Sequence, residues 1–498
     1  MQLPFGEWLP DQPDNLNPGA TVATNVYHAQ TSYKPVKGLV AYSGASNVTQ
    51  NAKGAGSFRD NTNAVFTFVG TKNNIYKLTS GTFSSVKGSC TVSGGDTDFF
   101  TFTQFGQYII ASNGVNEPMY YQMGTSSTFA TLQSLVNSNG SGTVPAKFRV
   151  SGVIRDFLVT GNIENAKNRV AWSGINDIST WEAGVSSSDT QDLPGSGGQI
   201  VAITSGEVGY IFRQNQIIRL DFVGGNTIFR FSVISPNRGA VYGQTVCQDN
   251  RQIFFYADDG FFQINGDQVL PIGAEKVNRF FDLDLNKAFS DRITAAVDPF
   301  NTLAIWLYPS KQTANTTGIC DRLLIYNYVT QKWSIANVKA SQIFEQFVTI
   351  NTVELMDLIS ENLDEINISL DTPYWTTGHL RLGAIDENFK AAIFSGTNLE
   401  AELETREQEI FPGLRANITG IRPIVDASTN VTIKTRDKLA DSVTTSATSA
   451  TNTTGISPVR QSGRYFRANV KVPAGSVWNH AQGIDLTASQ GGSRWVIK

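Results

Sequence analysis

Short runs of strand-forming residues return along this chain at intervals of about 43 to 49 residues, and that period limits its possible folds more than any other feature. The runs begin near Val65, Tyr108, Phe157, Ile200, Thr245 and Ile293, and each leads through a polar turn into a second, aromatic strand. Ala64-Val-Phe-Thr-Phe-Val-Gly passes through Thr71-Lys-Asn-Asn into Ile75-Tyr-Lys-Leu, with asparagines where a positive φ is tolerated. Tyr210-Ile-Phe-Arg turns at Gln214-Asn215 into Gln216-Ile-Ile-Arg-Leu, and Ile253-Phe-Phe-Tyr-Ala turns at Asp258-Asp259-Gly260 into Phe261-Phe-Gln-Ile-Asn. Leu303-Ala-Ile-Trp-Leu-Tyr and Leu323-Leu-Ile-Tyr-Asn-Tyr form a further pair across the loop 310–318. A small sheet of this kind cannot cover both of its faces, so the units must stack around an axis. The spacing predicts an all-β chain built on a β-propeller of six or seven blades.

Composition agrees. The 498 residues include 44 Gly and are 11% aromatic but only 16% charged, well below the roughly 25% of an average soluble domain, which favours strands and turns over helices. Helical spacing is confined to 274–281, expected as a short inter-blade helix, and to 352–363, where propeller strands could give the same pattern. Pro4, Pro10, Pro13 and Pro18 predict an N-terminal extended arm over residues 1–30, lying on a neighbour. Residues 31–405 form the propeller body. Strict alternation in Val431-Thr-Ile-Lys-Thr and Tyr465-Phe-Arg-Ala-Asn-Val-Lys-Val predicts a C-terminal antiparallel β-domain over 406–498 with one wet face. The low-complexity tracts 185–198 and 442–458 read as loops that order against a partner.

Catalytic chemistry finds little support. Asp258-Asp259-Gly260 is accounted for by a hairpin turn, and Asp282, Asp284 and Asn286 lack the glycine and the twelfth-position glutamate of a calcium loop. His28, His379 and His480 stand far from one another and from Cys90, Cys247 and Cys320, so neither a zinc site nor a disulfide framework is indicated. No phosphate-cradling glycine loop is present, so no cofactor is expected, and no secretion signal or run of about 18 apolar residues suggests a membrane span. Trp172, Trp181, Trp306 and Trp333 close blade strands, where core packing is expected.

Charge, by contrast, is segregated. Net charge is −4 overall, divided as 0 for residues 1–343, −11 for 344–411 and +7 for 412–498. Such an order suits a ring in which the acidic zone of one copy meets the basic zone of the next, or simply two solvated faces of opposite bias.

Several phrases, spread over nearly the whole chain, carry a resemblance. They are Phe5-Gly-Glu-Trp-Leu-Pro-Asp-Gln-Pro-Asp, Trp172-Ser-Gly-Ile-Asn-Asp-Ile-Ser-Thr-Trp, Val201-Ala-Ile-Thr-Ser-Gly-Glu-Val-Gly-Tyr-Ile-Phe, Ser235-Pro-Asn-Arg-Gly, Leu399-Glu-Ala-Glu-Leu-Glu-Thr and Gly463-Arg-Tyr-Phe-Arg. The sequence resembles the tail nozzle proteins of short-tailed phages (podoviruses), also described as tail tubular protein B or packaged-DNA stabilisation proteins. That resemblance implies a virion structural protein, not an enzyme, assembled in the host bacterial cytoplasm. It implies a homo-hexameric tube in the tail, below the portal and the adaptor (head-to-tail connector), with tail fibre or tailspike and tail needle or tip proteins as further partners. Double-stranded DNA would be retained by the tube and would pass through its lumen at ejection. An acidic lumen would let DNA slide without sticking, with Glu400, Glu402, Glu404, Glu407 and Glu409 as candidates. Arg460, Arg464 and Arg467 are candidate inter-subunit or phosphate contacts. The alternatives are a tail hub or a propeller that attaches a fibre or receptor, expected to cluster aromatic residues at an open mouth, and a carbohydrate-active propeller with paired carboxylates in a pocket.

Overall fold

The computed structural model describes residues 1–15, 17–42, 48–225, 227–249, 252–311, 317–348 and 379–491. Among them, five consecutive four-stranded antiparallel sheets follow one another along the chain, each a simple meander or nearly so. They are blades 1 to 5, and their innermost strands are Gly54–Arg59, Thr101–Phe105, Phe148–Ile154, Ile200–Ile203 and Cys247–Asp249. Blade 6 runs from Thr294–Asp298 through Leu303–Tyr308 and Cys320–Asn327 to the first half of the long strand Lys332–Val348.

That long strand serves two blades. Its register shifts between Ala340 and Gln342, and from Gln342 onward it becomes the inner strand of blade 7, followed by His379–Asp386 and Ala391–Ile393. The fourth strand of blade 7 is Val40–Ala41, from the other end of the chain, so the ring closes by joining an N-terminal strand to three late ones. The fold is therefore a seven-bladed β-propeller among the described residues, and the inner strands of all seven blades wall one central cavity of about 560 Å³.

The remaining strands make a second body from both ends of the chain. One of its sheets joins Val26–Ala29, Ser32–Pro35, Ala481–Gln490, Ala416–Val425 and Ser457–Gly463. The other joins Val22–Thr24, Ala401–Glu404, Tyr465–Val472 and Asn430–Arg436. The expected division at residues 30 and 405 is thus corrected: residues 1–35 do not form an arm reserved for a neighbour, because Gln2–Pro4 pairs with Ala481–Gln490 of the same chain and Leu3, Phe5 and Trp8 are buried there. The prolines are accommodated because the first strand is an edge strand that ends at Pro4.

The two bodies share an apolar core. Trp306 and Trp333, fully buried in blade 6, belong to the same cluster as Leu403, Val470, Ile421 and Ile484 of the terminal domain. Each indole satisfies its N–H on a backbone carbonyl of blade 5 or the residues around it, Trp306 on Thr245 at 3.0 Å and Trp333 on Ile272 at 2.9 Å. Trp172 and Trp181 are buried as well, so all four tryptophans pack in the core as their positions suggested.

Several local expectations shift. The inter-blade helix spans Asn278–Asp284 and not 274–281, and its first N–H groups, of Arg279 and Phe280, donate to the Asp11 carboxylate at 2.9 and 2.7 Å, a cap supplied from the N-terminal segment. A second helix, Leu132–Asn139, has Leu132, Leu135 and Val136 on its buried side. The tract 185–198 contains Asp189–Asp192, the exposed outer strand of blade 3, and 442–458 contains Thr444–Thr445 and Ser449–Ala450, both paired with Asn430–Arg436. The turn at Thr71–Asn74 closes with the Thr71 N–H donating to the Asn74 carbonyl and places no asparagine at positive φ. The stretch 352–363 lies outside the described residues.

Candidate functional site

The five glutamates come together on one strand, Ala401–Glu404, and the residues on either side of it, Glu400 before it and Glu407 and Glu409 after it, and the strand Tyr465–Val472 lies directly alongside. Antiparallel pairing sets Glu402 opposite Lys471 and Glu404 opposite Asn469, so the alternation that buries Ala401 and Leu403 turns the acids toward a basic strand. Glu404 is only 1% exposed and both its oxygens are doubly used: Oε1 accepts from Thr21 Oγ1 at 3.0 Å and faces Arg467 at 3.5 Å, while Oε2 accepts from Lys434 at 2.5 Å and Asn469 at 3.0 Å. Glu407, also buried, takes a two-pronged guanidinium bond from Arg436. Glu409 accepts from Arg464 at 2.8 Å, and Glu400 and Glu402 share Lys471. The Gly413 N–H and Arg464 hold the Glu409 carboxyl below its ordinary range, and Glu407 raises Arg436 in turn.

This arrangement corrects the expectation of a free acidic lumen surface. The negative run is neutralised within its own chain by the basic strands that follow it, and those strands lie next to it because they finish the same sheet. Arg464 and Arg467 are likewise committed in cis, Arg467 being 12% exposed and also 3.2 Å from Asp14. Arg460 alone of the three is exposed on the strand Ser457–Gly463.

The other sequence candidates stay apart. Asp258 and Asp259 form the two-residue hairpin turn, Asp259 accepting from Arg238. Asp284 is buried against Arg322 and Tyr308, Asp282 pairs with Lys287, and Asn286 caps a short 3-10 turn. His28 is buried with Nε2 taking a bond from Lys332 at 3.0 Å; burial and that ammonium lower it to about 4. His480 lies near Ser32, and His379 opens a strand of blade 7. Among the described residues no group of three or more His, Cys, Asp or Glu could hold a metal ion, and no helix is long and apolar enough to cross a membrane.

Residues not singled out from the sequence line the central cavity. Phe58 and Phe102 are half-buried there, and the Phe58 ring folds back over Gly56, where a Cβ would stand 2.6 Å from it. Among the described residues, Glu345, on the inner strand of blade 7, is the one acidic side chain in the wall, and no lysine or arginine lines it. Burial pushes Glu345 up to about 7, the Val297 N–H pulling the other way and Asp249 adding to the rise. The nearby Cys247 thiol is raised well above its ordinary value by burial.

A seven-bladed propeller fused through a common core to a β-domain made from both ends of the chain is the class of protein that this geometry defines. No family model matches the chain, and no curated protein matches it. Among solved structures it is similar to BamB from Moraxella catarrhalis, at 13% identity over 74% of this chain and 93% of that one, with a TM-score of 0.38. It is similar as well to the Pan2 WD40 domain from Neurospora crassa, at 9% identity over 74% and 96% with a TM-score of 0.38. A chain of the mitotic checkpoint complex aligns at 10% identity over 64% and 91%, TM-score 0.36. Likeness at this level carries no function over to the present chain.

Proposed function

We propose that the chain is a structural subunit of a short-tailed phage tail, six copies forming the nozzle that retains packaged DNA below the portal and adaptor and conducts it at ejection. The observation that carries this reading is the set of nozzle-like phrases from Phe5 to Arg467, which fall in both bodies of the fold. The architecture supports it in one respect: the propeller and the terminal domain share a single apolar core, so each copy is one block suited to a ring. Tail fibre or tailspike and needle or tip proteins are the further partners, and the virion tail is the location. The reading assigns no catalytic activity. It also assigns no DNA-repelling role to the five glutamates, whose charge is met in cis.

Mass measurement and particle imaging of the full chain, alone and with its adaptor, test the proposal. A six-fold ring with an open pore is expected; a monomer under both conditions overturns it. The reading of a hub or a fibre- or receptor-attachment propeller draws on the aromatic residues Phe58, Phe99 and Phe102 in the central cavity, and predicts an assembly without a pore.

A further inference from the structure

Three asparagines of this chain precede a glycine: Asn113, Asn139 and Asn265. In such a pair the glycine nitrogen, unshielded by any Cβ, can attack the asparagine amide carbon, one reason asparagine is among the chemically labile residues of proteins. The attack needs a side chain free to turn and a nitrogen whose hydrogen is not held elsewhere. The fold grants those conditions unequally.

Asn113 is 2% exposed and its amide is fully engaged. Its Nδ2 donates to Asn116 Oδ1 at 2.9 Å and to the Ser93 carbonyl at 3.2 Å, and its Oδ1 accepts from the N–H groups of Val115 and Asn116. The Gly114 N–H is held by the Phe148 carbonyl at 3.0 Å. Asn139 is exposed at the end of the helix Leu132–Asn139, but the Gly140 N–H donates to the Val136 carbonyl at 2.9 Å and Gly140 packs directly on the Ser179 carbonyl. Asn265 differs from both. It ends the strand Gly260–Asn265, is exposed, and among the described residues neither its side chain nor the Gly266 N–H makes a hydrogen bond. Gly266, at φ +62°, opens the two-residue turn to Gln268–Pro271 and has open space where a side chain would stand.

We propose that Asn265 is a site of spontaneous deamidation and isoaspartate formation. Gly266 N bonds to Asn265 Cγ as the Cγ–Nδ2 bond breaks, and Nδ2 leaves as ammonia carrying the hydrogen of the Gly266 N–H, which leaves a succinimide ring. Water then adds its hydroxyl to one ring carbonyl and its proton to the ring nitrogen. Addition at Cγ breaks the new bond and gives aspartate; addition at the main-chain carbonyl breaks the original peptide bond and routes the chain through Cβ and Cγ. The second product matters to the propeller because this hairpin tip fastens blade 5 to blade 4. The Gly266 carbonyl accepts from Tyr210 Oη at 2.8 Å and Asp267 pairs with Arg219, and Tyr210 and Arg219 stand opposite each other on paired strands of blade 4. An extra backbone carbon just before Gly266 displaces both acceptors and loosens the join, whereas aspartate leaves the backbone path unchanged. The inference stands apart from the nozzle reading.

Ageing the full native chain in warm, mildly alkaline buffer, followed by peptide mapping with mass spectrometry, tests it. Exchange of the amide NH2 for OH is expected at Asn265 at least tenfold faster than at Asn139 or Asn113, and at comparable rates at all three in denaturant, where only the shared dipeptide acts. The aged protein is expected to melt at a lower temperature. Asn265→Gln, whose longer side chain closes the ring far more slowly, is expected to escape that loss, and fresh Asn265→Asp is expected to melt like fresh wild type. An unmodified Asn265, or conversion at Asn139 or Asn113 as fast in the native chain, would overturn the proposed site. Equal loss of melting temperature on ageing in Asn265→Gln, or the full loss already present in fresh Asn265→Asp, would overturn the role given to the lengthened backbone.

Discussion

In blades 5 and 6 the interior is aromatic: Phe261, Trp306, Trp333 and Tyr326 touch edge to face or tilted, with ring centroids 4.7 to 5.7 Å apart. In the terminal domain, which continues the same core, charge is buried instead, Glu404 and Glu407 against Lys434 and Arg436 of the strand Asn430–Arg436 and Arg467 of the strand Tyr465–Val472. Aromatic packing tolerates partial loss, since each ring keeps its other neighbours. A buried ion network does not, because removing one member strands the others without water. The difference also separates two glutamates, Glu404 buried and Glu345 half-buried. Glu404 has four donors and belongs to the structure, whereas Glu345 has a single backbone donor and faces a cavity.

The sharpest way to break this contrast is Glu404→Ala, expected to cost about 3–5 kcal/mol in denaturant unfolding, as for other buried pairs that lose one partner. Because the network is buried, the loss is expected to change little with added salt. Trp333→Ala should cost a similar or slightly smaller amount, about 3–5 kcal/mol, since it leaves a cavity and an idle Ile272 carbonyl. If the propeller variant proved far costlier than the charge variant, aromatic and ionic cores would have to be ranked the other way. Asp11→Ala tests the join between the two bodies and should cost about 0.5–2 kcal/mol by exposing the start of the helix Asn278–Asp284. For Glu345 the sign is set by its raised value: the folded protein holds a proton that the unfolded chain releases, so stability falls as pH rises from about 4.5 to about 7. Glu345→Gln should flatten that slope, read from melting temperatures across the interval, and an unchanged slope would mean that the carboxyl is more solvated than its surroundings suggest.

The period of the fold was legible; its phase was only half so. Inner strands of blades 1 to 6 begin at Gly54, Thr101, Phe148, Ile200, Cys247 and Thr294, at intervals of 47 residues except for one of 52. The sequence runs beginning at Val65, Tyr108 and Phe157 are second strands, while those at Ile200, Thr245 and Ile293 begin at or just before first strands. Blade 1 shows why. Its inner strand, Gly54-Ala-Gly-Ser-Phe-Arg, is poor in apolar residues because the neighbouring blade presses close, with the Phe100 carbonyl 2.4 Å from where a Gly54 Cβ would be. Blade 7 escaped because it is assembled from a shared strand, two late strands and Val40–Ala41, which share no local period. The helix Leu132–Asn139 escaped because its apolar side holds only three buried residues and no side chain caps its start. At the acidic run, opposite charges were visible in neighbouring stretches of sequence, but only strand pairing shows that Lys471 and Arg467 answer Glu402 and Glu404 within one chain. The cavity-lining Glu345 gave no signal, since a single glutamate among strand residues resembles any solvent-facing position.

Closure of blade 7 by Val40–Ala41, together with the seating of Gln2–Pro4 on Ala481–Gln490, sets the order of events during synthesis. Leu3, Phe5 and Trp8 leave the ribosome long before the strand Ala481–Gln490 that Gln2–Pro4 pairs with, so they stay uncovered while the intervening blades form. Such distant pairings make maturation slow and leave sticky nascent segments in a crowded cell, which gives holdase chaperones a defined stretch to shield.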